Sequence, residues 1–405
     1  GRYCLADPEA TRLLIRPYMV LAEKESITLD PKSSSQVNIL NLPRNLLHKQ
    51  LTITNKDQRL IIHNTSYSYP VKLSLLPEME ARAHFMQLRE KRLRRIRSLF
   101  GGRIETLTKK KAFKLIRRVN ALLENERYRP LNDEFKPGGL VEIPREKSVF
   151  IIGDLHGKPD NLINALTHNS LLEALERDRA CLVILGDAVH PDGVGALDDM
   201  DSSILMMDLI FKLKVRFPEQ LFYLRGNHDS FSEEIAKGGI PQGIVWSRQL
   251  VKLRGKAYRQ QMQYFYDLLP YVAVSANAII CHAGPPVFPV NYEMMVNIQE
   301  FPKLKKELIT NRVKRKNQLK GYIRQDVKRF RECLKVSKLT PFIVGHTPLD
   351  LKETFWSNVG HIANHYIVYS SHEHWTGTIV QIGNDMFPMC YPAEPLISVI
   401  NALES

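Results

Sequence analysis

The chain has 405 residues, enough for a large core and two or three structural units. With 44% apolar and 25% charged residues it has the balance of a water-exposed globular protein, and no apolar run reaches the ~20 residues that span a bilayer. A net charge of +14 conceals a division: residues 82–129 hold sixteen Lys/Arg against four Glu, residues 301–338 hold fourteen against three acids, and the remainder is net acidic. Five scattered cysteines, none in a Cys-x-x-Cys pair, argue against a disulfide framework or a zinc-thiolate site and for a reducing, cytoplasmic setting. Gly1-Arg2-Tyr3-Cys4 shows no basic-then-apolar signal pattern and no Met, so a segment removed ahead of Gly1 is allowed for.

Residues 1–77 read as a small β-rich unit. Gln50–Thr54 and Arg59–His63 are strand-like around an Asn55-Lys56-Asp57 turn, and Tyr67, Tyr69 and Val71 alternate like a third strand. Residues 78–129 change period. Leu93, Ile96 and Phe100, then Ala112, Leu115, Ile116, Val119, Leu122 and Leu123, predict two amphipathic helices with Gly101-Gly102 between them, a basic αα-hairpin. Its polar faces carry Arg92, Arg94, Arg95, Arg97, Lys109, Lys110, Lys111, Arg117 and Arg118. Such a surface is either simply solvated or a partner site for an acidic protein or anionic membrane; few aromatics make nucleic acid the poorer candidate. Pro130, Pro137, Gly138, Gly139 and Pro144 mark residues 130–147 as a linker.

Residues 148–405 read as one large domain. Val149–Ile152 is a buried strand running into Gly153-Asp154-Leu155-His156-Gly157. Asn161–Leu175 is helical. Cys181–Leu185 is a strand ending in Gly186-Asp187-Ala188-Val189-His190. Ile204–Phe217 is helical, and Leu221–Leu224 is a strand ending in Arg225-Gly226-Asn227-His228-Asp229. The β-α-β-α-β order implies parallel strands with polar residues gathered at their carboxyl ends. Val245–Leu268 predicts one long helix, and Tyr271–Ile280 a β segment reaching His282. Phe342–Val344 leads to Gly345-His346, and Ile362–Tyr369, Thr376–Ile382 and Leu396–Ile400 are β-type runs.

Five strand ends thus offer Asp154 with His156, Asp187, Asn227 with His228, His282, and His346. One such pair is ordinary; five in series are the oxygen and imidazole inventory that two divalent metals need, with Asp187 the natural shared carboxylate. An amide oxygen and three imidazoles suit Mn, Fe or Zn better than Mg or Ca.

The series Gly-Asp-x-His-Gly, Gly-Asp, Gly-Asn-His-Asp, His-Ala-Gly and Gly-His-Thr resembles the calcineurin-like metallophosphoesterases, and within them the phosphoprotein phosphatase (PPP) family; Tyr264–Pro270 is similar too. The endings with Asp229 and Gly-His-Thr-Pro resemble the bacterial and phage branch, and the basic hairpin resembles the Wip-type effector phosphatases of intracellular pathogens, which implies secretion into a host cytosol. The resemblance implies an α/β (α+β) fold, a central β-sandwich flanked by helices, with the hairpin and the N-terminal β unit added. It implies two metals, most readily Mn. Asp154 and His156 would hold the first, Asp187 would bridge, and Asn227, His282 and His346 would hold the second. It further implies attack of a bridging hydroxide on a phosphomonoester, with His228 as general acid and Arg225 on the phosphate.

The chain departs from the family after Asp187. His190 and Pro191 stand where the family's Asp and phosphate-binding Arg belong. The expectation is that protonated His190 takes over phosphate contact, or that Asp192 pairs with His228. Arg248, Arg312 and Arg324 are alternative sources of the missing contact. The lost Arg leans the reading towards phosphotyrosine over phosphoserine or phosphothreonine. Competing readings are hydrolysis of a dinucleoside polyphosphate or other small phosphoester, and a docking module working through the hairpin. His361, His365, His372 and His374 read as separate structural or surface residues, and Cys281 as core filling.

Overall fold

The structure is a computed structural model. It describes residues 3–6, 18–21, 24, 26–29, 51–57, 59–64 and 78–403, apart from 168–170, 194, 316–318, 351–352, 373–374 and 383–385.

In the N-terminal part, β1 (Tyr3–Ala6) pairs with β2 (Tyr18–Leu21), and β3 (Ser26–Leu29), β4 (Leu51–Lys56) and β5 (Arg59–Asn64) form an antiparallel sheet. The turn expected at Asn55–Asp57 falls at Asp57, in the left-handed region (φ 52°), while Asn55 and Lys56 still pair as the end of β4. The strand expected around Tyr67–Val71 lies outside the described residues. Two helices follow, α1 (Glu78–Leu99) and α2 (Lys109–Leu123).

The remaining elements are β6 (Leu140–Glu142), β7 (Ser148–Ile152), α3 (Pro159–Leu166), α4 (Leu171–Glu176), β8 (Ala180–Ile184), α5 (Asp201–Arg216), β9 (Leu221–Tyr223), α6 (Gln242–Arg254), α7 (Lys256–Leu268), β10 (Val272–Ser275) and β11 (Ala278–Cys281). Then come α8 (Tyr292–Val296), α9 (Pro302–Thr310), α10 (Arg324–Cys333), β12 (Phe342–Val344), β13 (Phe355–Ser357), β14 (His365–Val368), β15 (Trp375–Ile382), β16 (Met386–Pro392) and α11 (Leu396–Ala402).

Two mixed sheets stack as a sandwich. One has the order β16-β15-β7-β8-β9, the other β13-β14-β12-β11-β10-β6. As anticipated, β7, β8 and β9 are parallel neighbours. Period-two alternation assigns each strand face to a layer. Val149, Ile151, Cys181, Val183 and Phe222 meet Ala273, Ile280, Ile343 and Val368 between the sheets. Phe150, Ile152, Leu182, Ile184 and Tyr223 face a helical layer, and Val272, Ile279, Phe342 and Ile367 face α9 and α10 on the other side.

Several local readings differ from the outcome. The two basic helices do not work as a detached hairpin: α2 packs on α5, α6 and α7, α1 packs on α11, and Ile96, Phe100, Ile116 and Val119 share a core with β7 and β8. The proline- and glycine-rich stretch contains β6, an edge strand parallel to β10, because Leu140 and Val141 alternate between two apolar layers. The long helix breaks into α6 and α7 at Gly255, whose φ of 91° is glycine territory. Leu396–Ile400 is helical, its Leu396 and Ile400 one turn apart on the buried face of α11.

Candidate metal centre and active site

The chemistry-bearing residues sit where the two sheets share an edge. β7, β8 and β9 deliver Asp154, His156, Asp187, Asn227 and His228; β11 and β12 of the other sheet deliver His282 and His346. Each follows the last residue of an apolar strand, so the hydrophobic effect that buries the strand also sets the position of its polar terminus.

Two ligand groups result, sharing one carboxylate. Asp154, His156 and Asp187 converge within 4.8 Å, and so do Asp187, His282 and His346. His282 Nε2 lies 3.3 Å from Asp187 Oδ2 and 3.0 Å from Asn227 Oδ1. Asp154 accepts the His346 backbone N–H at 2.9 Å, and Asp187 accepts that of His228 at 2.7 Å. The imidazoles are oriented for ligation. His282 Nδ1 faces the Leu185 carbonyl at 2.8 Å and His156 Nδ1 the His190 carbonyl at 3.1 Å. With the proton on Nδ1, each ring presents an Nε2 lone pair, the usual arrangement behind a metal-bound histidine.

The donor chemistry fits a pair of divalent cations. Asp154 and Asp187 are both 1% exposed and lie beside each other. Burial and repulsion from Asp187 push Asp154 up to about 7, against the attraction of His282. Burial opposes the charge on Asp187 too, but His282 and His228 outweigh it and hold that carboxyl well below its ordinary value. Burial disfavours a charged His282, yet the two carboxylates raise it to about 9. Shared positive charge among buried anions is what a cation supplies. Glycines make the room: a Cβ on Gly226 would collide with Asp187 Oδ1, and one on Gly345 with Asp154 Oδ1.

The backbone is strained here. His156 (φ 39°), Asp187 (49°), His190 (66°) and His346 (63°) all occupy the left-handed region. Such conformations cost about 1–3 kcal/mol each and persist where surrounding structure enforces them.

Residues 147–376 match the family described as calcineurin-like phosphoesterase. The chain belongs to that family. Among curated proteins this phosphoesterase is 30% identical over 145 residues to the Homo sapiens serine/threonine-protein phosphatase with EF-hands 1, covering 36% of this chain and 20% of that protein. It is 30% identical over 139 residues to the Rattus norvegicus protein of the same name, covering 34% and 19%. The matched segments thus span about a fifth of the length of these relatives. Among solved structures it resembles a protein serine/threonine phosphatase from Saccharomyces cerevisiae with similarity to human phosphatase PP5. That match has a TM-score of 0.51 at 16% identity over 71% of this chain and 91% of that one, and it shows the shared fold.

The surroundings of His228 in this phosphoesterase differ from expectation. His190 is fully buried, and its Nδ1 meets His228 Nδ1 at 3.1 Å, while its Nε2 has no partner among the described residues. Burial, with the charge of His228 second, holds His190 well below an ordinary imidazole, so it stands behind His228 as a neutral ring and not as an open cationic phosphate contact. Burial likewise lowers His228 to about 4, partly offset by Asp187. Asp192 does not pair with His228. It accepts the Tyr369 hydroxyl at 2.6 Å and the Ser371 hydroxyl at 3.2 Å, and lies 3.4 Å from Lys158 Nζ.

Arg225 is engaged as well: Nη1 donates to the Tyr266 carbonyl and the guanidinium lies 5.2 Å from that ring's centre. Of the three alternative arginines, Arg312 is the one in electrostatic reach of the centre. Partial desolvation and Arg315 lower its pKa, while Asp154 and Asp187 raise it. Asp229 holds the loop from below, accepting Gly226 N–H at 2.8 Å and the Tyr223 hydroxyl at 2.7 Å. Tyr369 and Tyr223 went unnoticed in the sequence, since a hydroxyl at a strand end leaves no spacing signal. His365 is a structural residue, buried between the Tyr322 hydroxyl at 2.7 Å and the Phe342 carbonyl at 3.2 Å.

Proposed function

We propose that this chain is a metal-dependent phosphoprotein phosphatase that hydrolyses phosphomonoesters, with preference for phosphotyrosine. The observation that carries the reading is the pair of ligand groups sharing Asp187. Asp154, His156 and Asp187 would hold one divalent cation, and Asp187, Asn227, His282 and His346 the other; Mn suits this donor set, with Fe or Zn as alternatives. When bound, the cations supply positive charge for phosphate oxygens and a water of lowered pKa as nucleophile.

The chain's own residues do the rest. The His228 backbone N–H fixes Asp187 through Oδ1. The His228 ring stands beside the ligands, placed to give a proton to the leaving oxygen. Arg312, which Asp154 and Asp187 attract, is the arginine we assign to the phosphate beside Arg225, whose Nη1 is on the Tyr266 carbonyl while its Nε has no partner among the described residues. The lean to phosphotyrosine, first read from the Arg missing at Pro191, gains support from His190: a neutral ring behind His228 supports an imidazolium less well than a carboxylate does. A phenolate leaves with less protonation than an alkoxide, so weak acid assistance disfavours serine and threonine esters most.

The relatives carry serine/threonine phosphatase in their names, which supports a phosphoprotein substrate. The test is turnover of matched phosphotyrosine, phosphoserine and phosphothreonine peptides, and of diadenosine tetraphosphate, in Mn-containing buffer with Asp187→Asn as control. The expected ranking puts phosphotyrosine first, with the Asp187→Asn rate lower by at least about 10³-fold. Hydrolysis of the dinucleotide without any phosphopeptide sinks the assignment.

A further inference from the structure

Two segments far apart in sequence build one cationic face. α2 presents Lys109, Lys110, Lys111, Lys114, Arg117 and Arg118, all exposed, and no acidic residue occurs between Thr106 and Leu123. α6 and α7, on which α2 packs, run from Gln242 to Tyr266 without an acid and add exposed Arg248, Lys252 and Lys256. Where the helices meet is a pocket of about 440 Å³ lined by Lys109, Lys110, Phe113, Arg254, Gly255 and Lys256. Of the cations lining it, among the described residues only Arg254 has a carboxylate, Asp208 at 2.6 Å. Among the described residues no ion pair involves Lys109, Lys110, Lys111, Lys114, Arg118, Lys252 or Lys256.

α1 behaves differently. Arg89 pairs with Glu394, Arg95 with Glu173 and Glu176, and Arg94 with Glu90, while Arg97 donates to the Leu403 carbonyl. Three arginines of α1 are thus met by this chain's own acids, whereas among the described residues no carboxylate pairs with the cations of α2. On the last turn of α6, next in sequence to the pocket-lining Arg254, Val251 and Leu253 are exposed at 36% and 44%.

We propose that the α2–α6–α7 face docks on an anionic phospholipid bilayer, with its lysines against lipid phosphates and Val251 and Leu253 at headgroup level. Lysine ammoniums on flexible stems suit a diffuse anionic surface, where a shaped carboxylate or phosphate site would favour the forked geometry of arginine. Clustered lysines next to exposed aliphatic side chains combine electrostatic attraction with apolar burial, the two contributions that hold peripheral proteins on acidic leaflets. Phe113 is the sole aromatic lining the pocket, which leaves nucleic acid without a stacking platform.

The test is co-sedimentation of the full chain with vesicles of phosphatidylcholine alone and of phosphatidylcholine mixed with phosphatidylserine. Binding is expected only to the mixed vesicles and falls as salt shortens the screening length. The variant Lys109→Glu/Lys110→Glu/Lys114→Glu/Arg118→Glu is expected to lose at least about tenfold in partitioning, with an unchanged thermal midpoint. Should that variant misfold, Lys110→Gln/Lys114→Gln is expected to weaken partitioning in the same direction. Equal binding to both vesicle types, no binding, a variant that partitions like the parent, or capture by polyglutamate without vesicle binding overturns the proposal. Because the readout is partitioning and not turnover, its failure is separate from failure of the phosphatase reading.

Discussion

Gly226 lies under Asp187 with no space for a side chain: an added methyl would collide with Oδ1 of the carboxylate both ligand groups share, and approach the Asp187 nitrogen at 2.7 Å. Its own φ is not in the left-handed region, so the demand for glycine comes from packing and not from backbone conformation. Gly226→Ala is therefore expected to push Asp187 out of place while leaving the strands folded. The measurement is Mn binding by calorimetry, with circular dichroism as the fold control. A drop of about 10–100-fold in metal affinity is the expected outcome, as for other disturbances of ligand positioning. Unchanged affinity would remove Asp187 from the assigned ligands. At this scale the residues that converge as candidate ligands were legible in the sequence, because glycine-flanked Asp, Asn and His at the ends of apolar runs leave a local mark. The placing of His190, Asp192 and Arg225 was not, since burial and hydrogen-bond partners depend on segments brought in from elsewhere: Ser203 and His228 around His190, Tyr369 and Ser371 around Asp192, Tyr266 around Arg225.

Between α2 and β6, two arginines two positions apart have opposite roles. Arg127 is exposed and reaches Glu219 at 3.2 Å, with side chains 67% and 40% accessible. Arg129 is buried with Glu126 at 3.3 Å, and its other donors go to the Gly138 carbonyl at 2.7 Å, Leu268 at 2.8 Å and Pro137 at 3.0 Å. Lys214 completes the buried cluster by contacting Glu126. Arg129 thus ties the proline- and glycine-rich segment to the end of α7. Removing one member leaves carbonyls unmet and Glu126 with less compensation, so Arg129→Met is expected to cost about 3–5 kcal/mol in urea unfolding. Arg127→Met is expected to cost under about 1 kcal/mol, as exposed pairs do. Equal costs would contradict the structural role given to Arg129. Composition alone made this segment look like a linker, because Pro and Gly count identically whether the turn they make is free or stapled. The same blindness to context turned α11 into a β-type run: Ile397, Val399 and Ile400 favour strands by residue type, and it is the exposure of Ser398 between buried Leu396 and Ile400, which a strand would place on one face, that marks the helix.

Across the whole molecule, the candidate centre draws its side chains from both sheets, beside the backbone bridge between Asp154 and Tyr369. His282 and His346 come from the sheet containing β11 and β12, Asp154 and Asp187 from the one containing β7 and β8, and ligand atoms of the two sets lie within 4.8 Å. Metal loading must therefore be linked to the stability of the sandwich as well as to turnover. The sign follows from mass action: a cation that binds the assembled edge, whose ligands are scattered over almost 200 residues in the unfolded chain, stabilises the native state. At a hundredfold excess over its dissociation constant the gain is about 2.7 kcal/mol, which for a domain of 150–250 residues raises the thermal midpoint by about 5–10 °C. The expected result is that Mn raises the midpoint of the parent chain and that chelation reverses the rise, with little response in Asp187→Asn because that substitution weakens both ligand groups. A parent midpoint that ignores Mn, Fe and Zn alike would show that the shared edge does not hold a cation in solution. A rise retained in Asp187→Asn but lost in His346→Ala would instead place the cation on the β12 side without a shared carboxylate, and so separate a single-metal centre from the two-metal centre assigned above.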